Sequence, residues 1–330
     1  MRVRAVPVQP HCFNFGGFDI QMHRTLEALR SVGVDAAPLD WWSRDADFDI
    51  LHVWGLAPQH QELVRLARQY GKKVALTPLL PYNTPVARMR HFTGVVTGRK
   101  RAVLDVLRHV DVLLVVNSLQ ADAAIKLFGF PANRIEIIPT ILDPRFFSNP
   151  PVEPPAKAPA RYIVCAGNIW PRKNQLRLAQ AALTTGTSVV FIGNTMAGEH
   201  SYTAAFENLV AANPASLQWH KWLSWDDLFR TLRHAAGIAL PSFLECQPAS
   251  GLEAAALGKP LLLACRAYAR QEFYSGAVLV NPKSVTAIAR GLESMLAHPE
   301  RCTPASATVQ ACRIESIATK LRAIFERLLA

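Results

Sequence analysis

The sequence has no apolar stretch long enough to cross a membrane. A spanning helix needs about 18 to 20 consecutive apolar residues, and the longest uncharged apolar runs, such as Val112–Val116, are strand-sized. The opening residues are not expected to form a signal segment: Met1-Arg2-Val3-Arg4-Ala5-Val6 is basic, then briefly apolar, and meets Pro7 and Pro10 within a few residues. It reads as the first strand of a cytoplasmic protein. No two of the six cysteines (12, 165, 246, 265, 302 and 312) have the two-residue spacing of a zinc knuckle or a redox pair. Free thiols in apolar surroundings are expected, and neither a metal nor a cofactor is. Acidic residues are scarce, 25 against 36 basic, for a net charge of +11. The excess is spread over both halves and suits anionic partners. In the absence of a nucleic-acid motif, that leaves a diphosphate substrate and an anionic membrane surface as partners, and sets nucleic acid aside.

What is present is a long alternation of β-branched runs with helical patterns, the signature of parallel sheets covered by helices. In the first half the pattern predicts strands near residues 3–8, 34–39, 49–53, 73–77, 111–116 and 135–138. Helices are predicted near 20–32, 58–70, 99–109 and 119–128, with Gly33, Gly71 and Gly129 placed as C-caps. The run 149–159 then holds five prolines in eleven residues, which is stiff and unable to join a sheet. After it the alternation resumes, ending in a helix whose stripe is Ile314, Ile317, Ala318, Leu321, Ile324, Phe325 and Leu328. The expected organisation is therefore an α/β chain of two similar halves. The N-terminal domain covers 1–149, the linker 150–160 and the C-terminal domain 161–307, with a terminal helix region 308–330 packing back on the first domain.

Three places carry chemistry. The first is Pro241-Ser242-Phe243-Leu244-Glu245, followed eight residues later by Glu253-Ala-Ala-Ala-Leu-Gly-Lys-Pro260. A strand ending near Leu240 turns into a helix near Ser250. The amides of Ala249, Ser250, Gly251 and Leu252 then offer an anion site, and the two carboxylates offer acceptors for hydroxyls beside it. The plainer alternative is a helix N-terminal acid and an unrelated loop acid. The second place is Gly167-Asn168-Ile169-Trp170-Pro171-Arg172-Lys173-Asn174, directly after the first strand of the second half. Gly167 permits close approach, and the adjacent cations suit a diphosphate; a solvated basic loop is the alternative. The third is Gly16-Gly17 in the first strand-to-helix loop, which reads equally as a phosphate approach or a tight turn.

In combination, Arg172-Lys173-Asn174 after a glycine loop, with Glu245 and Glu253 at that spacing, resembles the retaining GT-B glycosyltransferases of family 4 (group 1). Asp111–Ser118, Ile137–Asp143 and Glu272–Pro282 also resemble segments of that family. The resemblance implies two Rossmann-like parallel-sheet domains facing each other across a cleft. It implies a hexosyltransferase using a GDP- or UDP-linked sugar, without a metal, on a glycan or lipid-linked acceptor, with the anomeric configuration retained. Arg172 and Lys173 would hold the diphosphate, Glu253 the ribose and Glu245 the transferred sugar, with Gly16 and Gly17 near the diphosphate or acceptor. Two departures stand out: Leu79 occupies the place of a family histidine, and Thr140-Ile141 replaces an Asn-Gly pair. Leu79 motivates an alternative, a catalytically degenerate homologue that binds nucleotide sugar as a partner subunit.

On the acceptor side, His52 is a possible substitute for the missing histidine or a satisfied strand-end residue. Trp54 is either a sugar-stacking face or core. Arg88 and Arg90 open a basic stretch that continues through Arg99, Lys100, Arg101 and Arg108. With Val103, Leu104, Val106, Leu107 and Val110 at helical spacing, the 99–109 helix either faces an anionic membrane or packs in the core. Transfer activity is expected to persist in excess EDTA; its complete loss would show that a metal is needed.

Overall fold

The computed structural model describes every residue except Asn14, Pro81, Asn149 and Ala197. The chain divides into two compact units, Met1–Ile141 with Ala311–Ala330, and Leu142–Gln310. The division falls ahead of the proline-rich stretch expected as the linker. That stretch has neither strand nor helix among its described residues and is tied into the second unit, where its Lys157 carbonyl accepts from Gln218 (3.0 Å) and its Val152 carbonyl bonds His234 (2.8 Å).

The first unit contains β1 (Arg2–Val6), α1 (Gly17–Ser31), β2 (Asp35–Pro38), β3 (Ile50–Trp54), α2 (Gln61–Gln69), β4 (Lys73–Thr77), α3 (Pro85–Val96), α4 (Arg101–Arg108), β5 (Val112–Val115), α5 (Ser118–Phe128) and β6 (Ile135–Ile137). Its strands form one parallel sheet in the order β2-β1-β3-β4-β5-β6. Helices cover both faces, so both strand faces are apolar. Ile50 and Trp54 of β3 join Met22, Leu26 and Leu29 of α1 on one side. The alternate residues Leu51 and Val53 join Val64 of α2 and Val106 and Leu107 of α4 on the other.

The helix predicted over 99–109 is α4, and a second helix, not predicted, precedes it. The additional one, α3, starts by local chemistry: Pro85 takes the first position, and Thr84 Oγ1 accepts from the Ala87 amide (3.1 Å). The apolar set on α4 is core, because Val106, Leu107 and Val110 are buried in one cluster with Leu51, Leu76 and Leu113 of the sheet. That placement replaces the reading in which this set faces a membrane.

The second unit contains α6 (Arg145–Ser148), β7 (Tyr162–Ala166), α7 (Gln175–Thr185), β8 (Ser188–Ile192), α8 (His200–Ala212), β9 (Leu217–His220), α9 (Trp225–His234), β10 (Gly237–Leu240), α10 (Ala249–Ala256), β11 (Leu261–Ala264), β12 (Val278–Val280) and α11 (Val285–Ala297). Its parallel sheet has the order β12-β11-β10-β7-β8-β9. Chain direction across the sheet reverses between β7 and β10, which makes their C-terminal ends the switch-point crevice of a doubly wound fold. The terminal helix α12 (Ile314–Leu329) returns to the first unit. There Ile317, Leu321, Ile324 and Phe325 complete the α1-side core, and Arg327 pairs with Glu136 (2.6 Å).

His52 and Trp54 take part in this core, which settles their alternatives against an exposed acceptor surface. His52 is fully buried and its Nε2 lies 2.8 Å from Thr77 Oγ1. Its ring sits against Trp54 (5.1 Å) and Phe325 (5.9 Å). Trp54 in turn packs on Phe18 (5.2 Å). Burial disfavours the imidazolium and pulls the His52 pKa down from 6.5 to about 3. Between those values the unfolded chain binds a proton that the folded chain refuses. This contribution to stability is therefore complete above pH 6.5 and is lost as the pH falls toward 3, by about 1.4 kcal/mol per pH unit. Replacing His52 with Gln should flatten the acid limb of stability between pH 6.5 and about 4 in urea melts; an unchanged limb would assign acid sensitivity to other groups.

Candidate functional site

The mouth of β7 and β10 is built from backbone before any charged side chain enters. Gly167 leaves β7 at φ +151°, its amide bonded to the Ile192 carbonyl (2.7 Å). Gly193, at φ +144°, ends β8 so close that a Cβ there would overlap the Gly167 carbonyl. The loop after Gly167 is held by buried Gln175, whose amide nitrogen donates to the carbonyls of Gly167 (3.2 Å) and Asn168 (2.9 Å). Asn174 is the one described non-glycine residue with positive φ, at 64°. Asn tolerates this left-handed conformation. Its side-chain nitrogen donates to the carbonyls of Pro241 (3.1 Å) and Pro282 (2.8 Å), tying the β7 loop to the segments after β10 and β12.

This scaffold brings Arg172 and Lys173 against the Phe243–Glu245 loop. The Phe243 amide donates to the Arg172 carbonyl (2.8 Å). Arg172 Nη1 donates to the Leu244 carbonyl (3.1 Å) while its guanidinium lies 4.5 Å from the Trp170 ring centroid. Lys173 Nζ lies 2.6 Å from Glu245 Oε1, and both side chains are largely buried, with 18% and 7% exposure. A buried pair of this kind loses hydration on both partners and is held by their mutual attraction. The loop is also supported from beneath. The Tyr268 hydroxyl donates to the Ser242 carbonyl (3.1 Å), Gln271 to the Cys246 carbonyl (3.0 Å) and Tyr274 to the Pro248 carbonyl (3.3 Å).

The start of α10 lies at the same mouth, with Ser250 Oγ donating to the Ala166 carbonyl at the end of β7 (3.3 Å). The amides of Gly251 and Leu252 donate to the Pro248 carbonyl, so the amides the helix leaves for an anion are those of Ala249 and Ser250. Gly251 has a packing reason as well, since a Cβ there would come within 2.9 Å of the Tyr274 ring. Leu252 is core, and Glu253 is a buried carboxylate in the second turn of α10. A separate groove of about 570 Å³ is lined by Pro171, Arg172, Leu176, Arg177, Gln180, Tyr202 and Phe243. It shares Arg172 and Phe243 with the mouth but not Lys173 or either glutamate.

The comparisons with known proteins bear on the fold. Residues 151–309 match the family glycosyl transferases group 1. No curated protein matches the sequence. Among solved structures, the chain is similar to Anabaena HepE in complex with UDP and glucose, with a TM-score of 0.76 at 13% identity over 99% of this chain and 100% of that one. It is also similar to sucrose-phosphate synthase from Thermosynechococcus elongatus (0.74, 15% identity, 99% of each chain). A third is a glycosyltransferase from Rickettsia africae (0.72, 13% identity, 99% and 98%). The fold is thus GT-B, and the loop of Arg172 and Lys173, the loop of Glu245 and the start of α10 meet at the β7–β10 switch point.

In the first unit the sheet order reverses between β1 and β3, and Gly16 and Gly17 lie in the loop that leaves β1. Gly16 is the N-cap of α1, and its amide donates to Asp19 Oδ2 (2.8 Å). Neither glycine has positive φ, and a Cβ on either would meet nothing within 4 Å. The chain's own packing does not demand glycine there. Arg88 and Arg90 are exposed on α3, and Leu79 is 53% exposed just beyond β4.

Sequence reasoning overlooked the supporting residues Asn174, Gln175, Tyr268, Gln271 and Tyr274. The signal for Asn174 was present, an Asn directly before a helical pattern, where a left-handed residue joins loop to helix. The tyrosines gave none, because their hydroxyls bond carbonyls 26 to 28 residues away. Lys173→Met leaves Glu245 buried without its cation and should cost about 3 kcal/mol or more of stability. Adding Glu245→Gln should recover part of that loss in denaturant melts, whereas additive losses would show that the pair is not coupled.

Proposed function

We propose that this chain transfers a hexose from a nucleotide-diphosphate sugar to an acceptor hydroxyl with retention of anomeric configuration, and that the β7–β10 mouth binds the donor. The observation that carries this reading is the clustering at one switch point of a cation held by a buried carboxylate, a second cation and a helix start with free amides. Anabaena HepE crystallised with UDP-glucose and an E. coli enzyme bound to UDP-2-fluoro glucose share the fold and support a nucleotide-sugar donor, UDP- or GDP-linked.

In this reading Arg172 and Lys173 neutralise the diphosphate, together with the amides of Ala249 and Ser250. Glu245 accepts hydrogen bonds from hydroxyls of the transferred sugar, and Glu253 from the ribose. Glu245 also fixes Lys173, so the charge that stabilises the leaving group is positioned before substrate arrives. The bond from C1 to the diphosphate oxygen breaks, the bond from C1 to the acceptor oxygen forms on the same face, and the acceptor proton passes to the departing phosphate oxygen. No protein base is required, so Leu79 in place of a histidine is compatible with turnover. The acceptor is a glycan or lipid-linked saccharide, reached from the cytoplasm. Gly16 and Gly17 leave open space beside the start of α1, suited to close approach by a substrate group.

Thermal shifts with UDP, GDP, ADP and their sugars identify the donor, and transfer assays with that donor test the chemistry. Arg172→Ala should lower kcat/KM roughly 10- to 100-fold, the effect of losing a charge-assisted contact. Glu253→Ala should chiefly raise donor KM. Wild-type kinetics in both variants would end the site assignment, and donor binding without turnover would favour the degenerate homologue suggested by exposed Leu79. Gly17→Ala should leave the melting temperature unchanged and raise KM; a lowered melting temperature would assign that glycine to the fold.

A further inference from the structure

The outward side of α3 is an apolar ridge that nothing among the described residues covers. Met89, Phe92 and Val96 follow one another at helical spacing and are 62%, 69% and 68% exposed, with Val86 and Val95 beside them at 54% and 41%. The opposite side of the helix does the packing. There Gly94 is buried, the His91 ring meets Phe128 of α5 edge-on at 4.9 Å, and a Cβ at Gly94 would come within 2.9 Å of the Lys100 side chain. The ridge is therefore the surplus face of a helix whose structural contacts are made elsewhere.

The charge around it has one sign. Arg88 and Arg90 are exposed on the two flanks of the ridge, and Arg99 and Arg101 are exposed just past its C-terminal end. No Asp or Glu occurs between Glu62 and Asp105. Asp122 of α5, which feels Arg88, is already paired with Lys126 (2.6 Å). A helix of twelve residues is about 18 Å long, too short to span a bilayer. An apolar ridge with cationic flanks on such a helix fits the plane of an anionic membrane. A second copy of the chain is a poor occupant, because a two-fold contact through this face would set the same arginines against each other.

We propose that α3 docks the protein on anionic lipid bilayers. Met89, Phe92 and Val96 enter the boundary between headgroups and acyl chains, and Arg88, Arg90, Arg99 and Arg101 lie among the lipid phosphates. The docking stands apart from the donor-site reading and does not require it.

Flotation of the full chain with vesicles tests it. The wild type should float with phosphatidylcholine vesicles containing phosphatidylglycerol and remain behind with phosphatidylcholine alone. Met89→Ser/Phe92→Ser/Val96→Ser should reduce partitioning at least about tenfold, and Arg99→Gln roughly fivefold, with thermal melts matching the wild type. Trp222→Ser removes an exposed apolar side chain elsewhere (79% exposed) and should change nothing. Failure of the wild type to float with anionic vesicles overturns the proposal. So does equal flotation by the triple variant, or a wild-type dimer in light scattering that the triple variant dissolves.

Discussion

The contact between Lys173 and Glu245 sets the terms for everything around the β7–β10 mouth. Two opposite charges 2.6 Å apart, both largely removed from water, offset each other's lost hydration only while the backbone that carries them stays in place. The surrounding structure supplies that rigidity. Asn174 accepts a left-handed backbone so that its amide can join Pro241 to Pro282. Gln175 ties down the turn after Gly167, and Tyr268, Gln271 and Tyr274 hold the carbonyls of the opposing loop. A site in which charges are held this way is ordered before any ligand arrives, and such prior ordering favours electrostatic stabilisation of developing charge because no reorganisation is then needed.

The two units follow the same construction with different demands. Each is a six-stranded parallel sheet with one reversal of strand order, and in each a glycine-containing loop leaves the strand at that reversal. In the second unit the glycines are required by the chain itself, since Gly167 and Gly193 have positive φ and nearly touch. In the first, Gly16 and Gly17 have ordinary backbone angles and open space around them. One pair of glycines builds the wall of a site, and the other leaves a space.

Much of this was legible in the chain. The alternation of apolar strands with helical stripes specified two parallel sheets, because a strand buried on both faces leaves a continuous β-branched run and its covering helix a 3.6-residue stripe. The Arg172-Lys173 pair, Glu245 and Glu253 stood out in the sequence because loops after strand ends in such sheets meet at the switch point. His52 and Trp54 were left open between core and acceptor surface because period-two alternation says which residues share a face, not whether a later helix will cover that face. Phe325, almost at the end of the chain, is part of what closes over His52.

Residues 99–109 were left open between membrane and core for a related reason. Val106, Leu107 and Val110 have the spacing of an amphipathic helix whether their partner is lipid or Leu51 and Val64, and the tertiary structure gave them the latter. Sequence alone determined the class of the fold, the two-part organisation and the residues that carry charge at the site, since each follows from periodicity or from local turn chemistry. Only the folded chain decided that Lys173 faces Glu245, that His52 stays neutral, and that the uncovered apolar ridge belongs to α3. Those outcomes depend on which distant surfaces come together, and no local pattern encodes that.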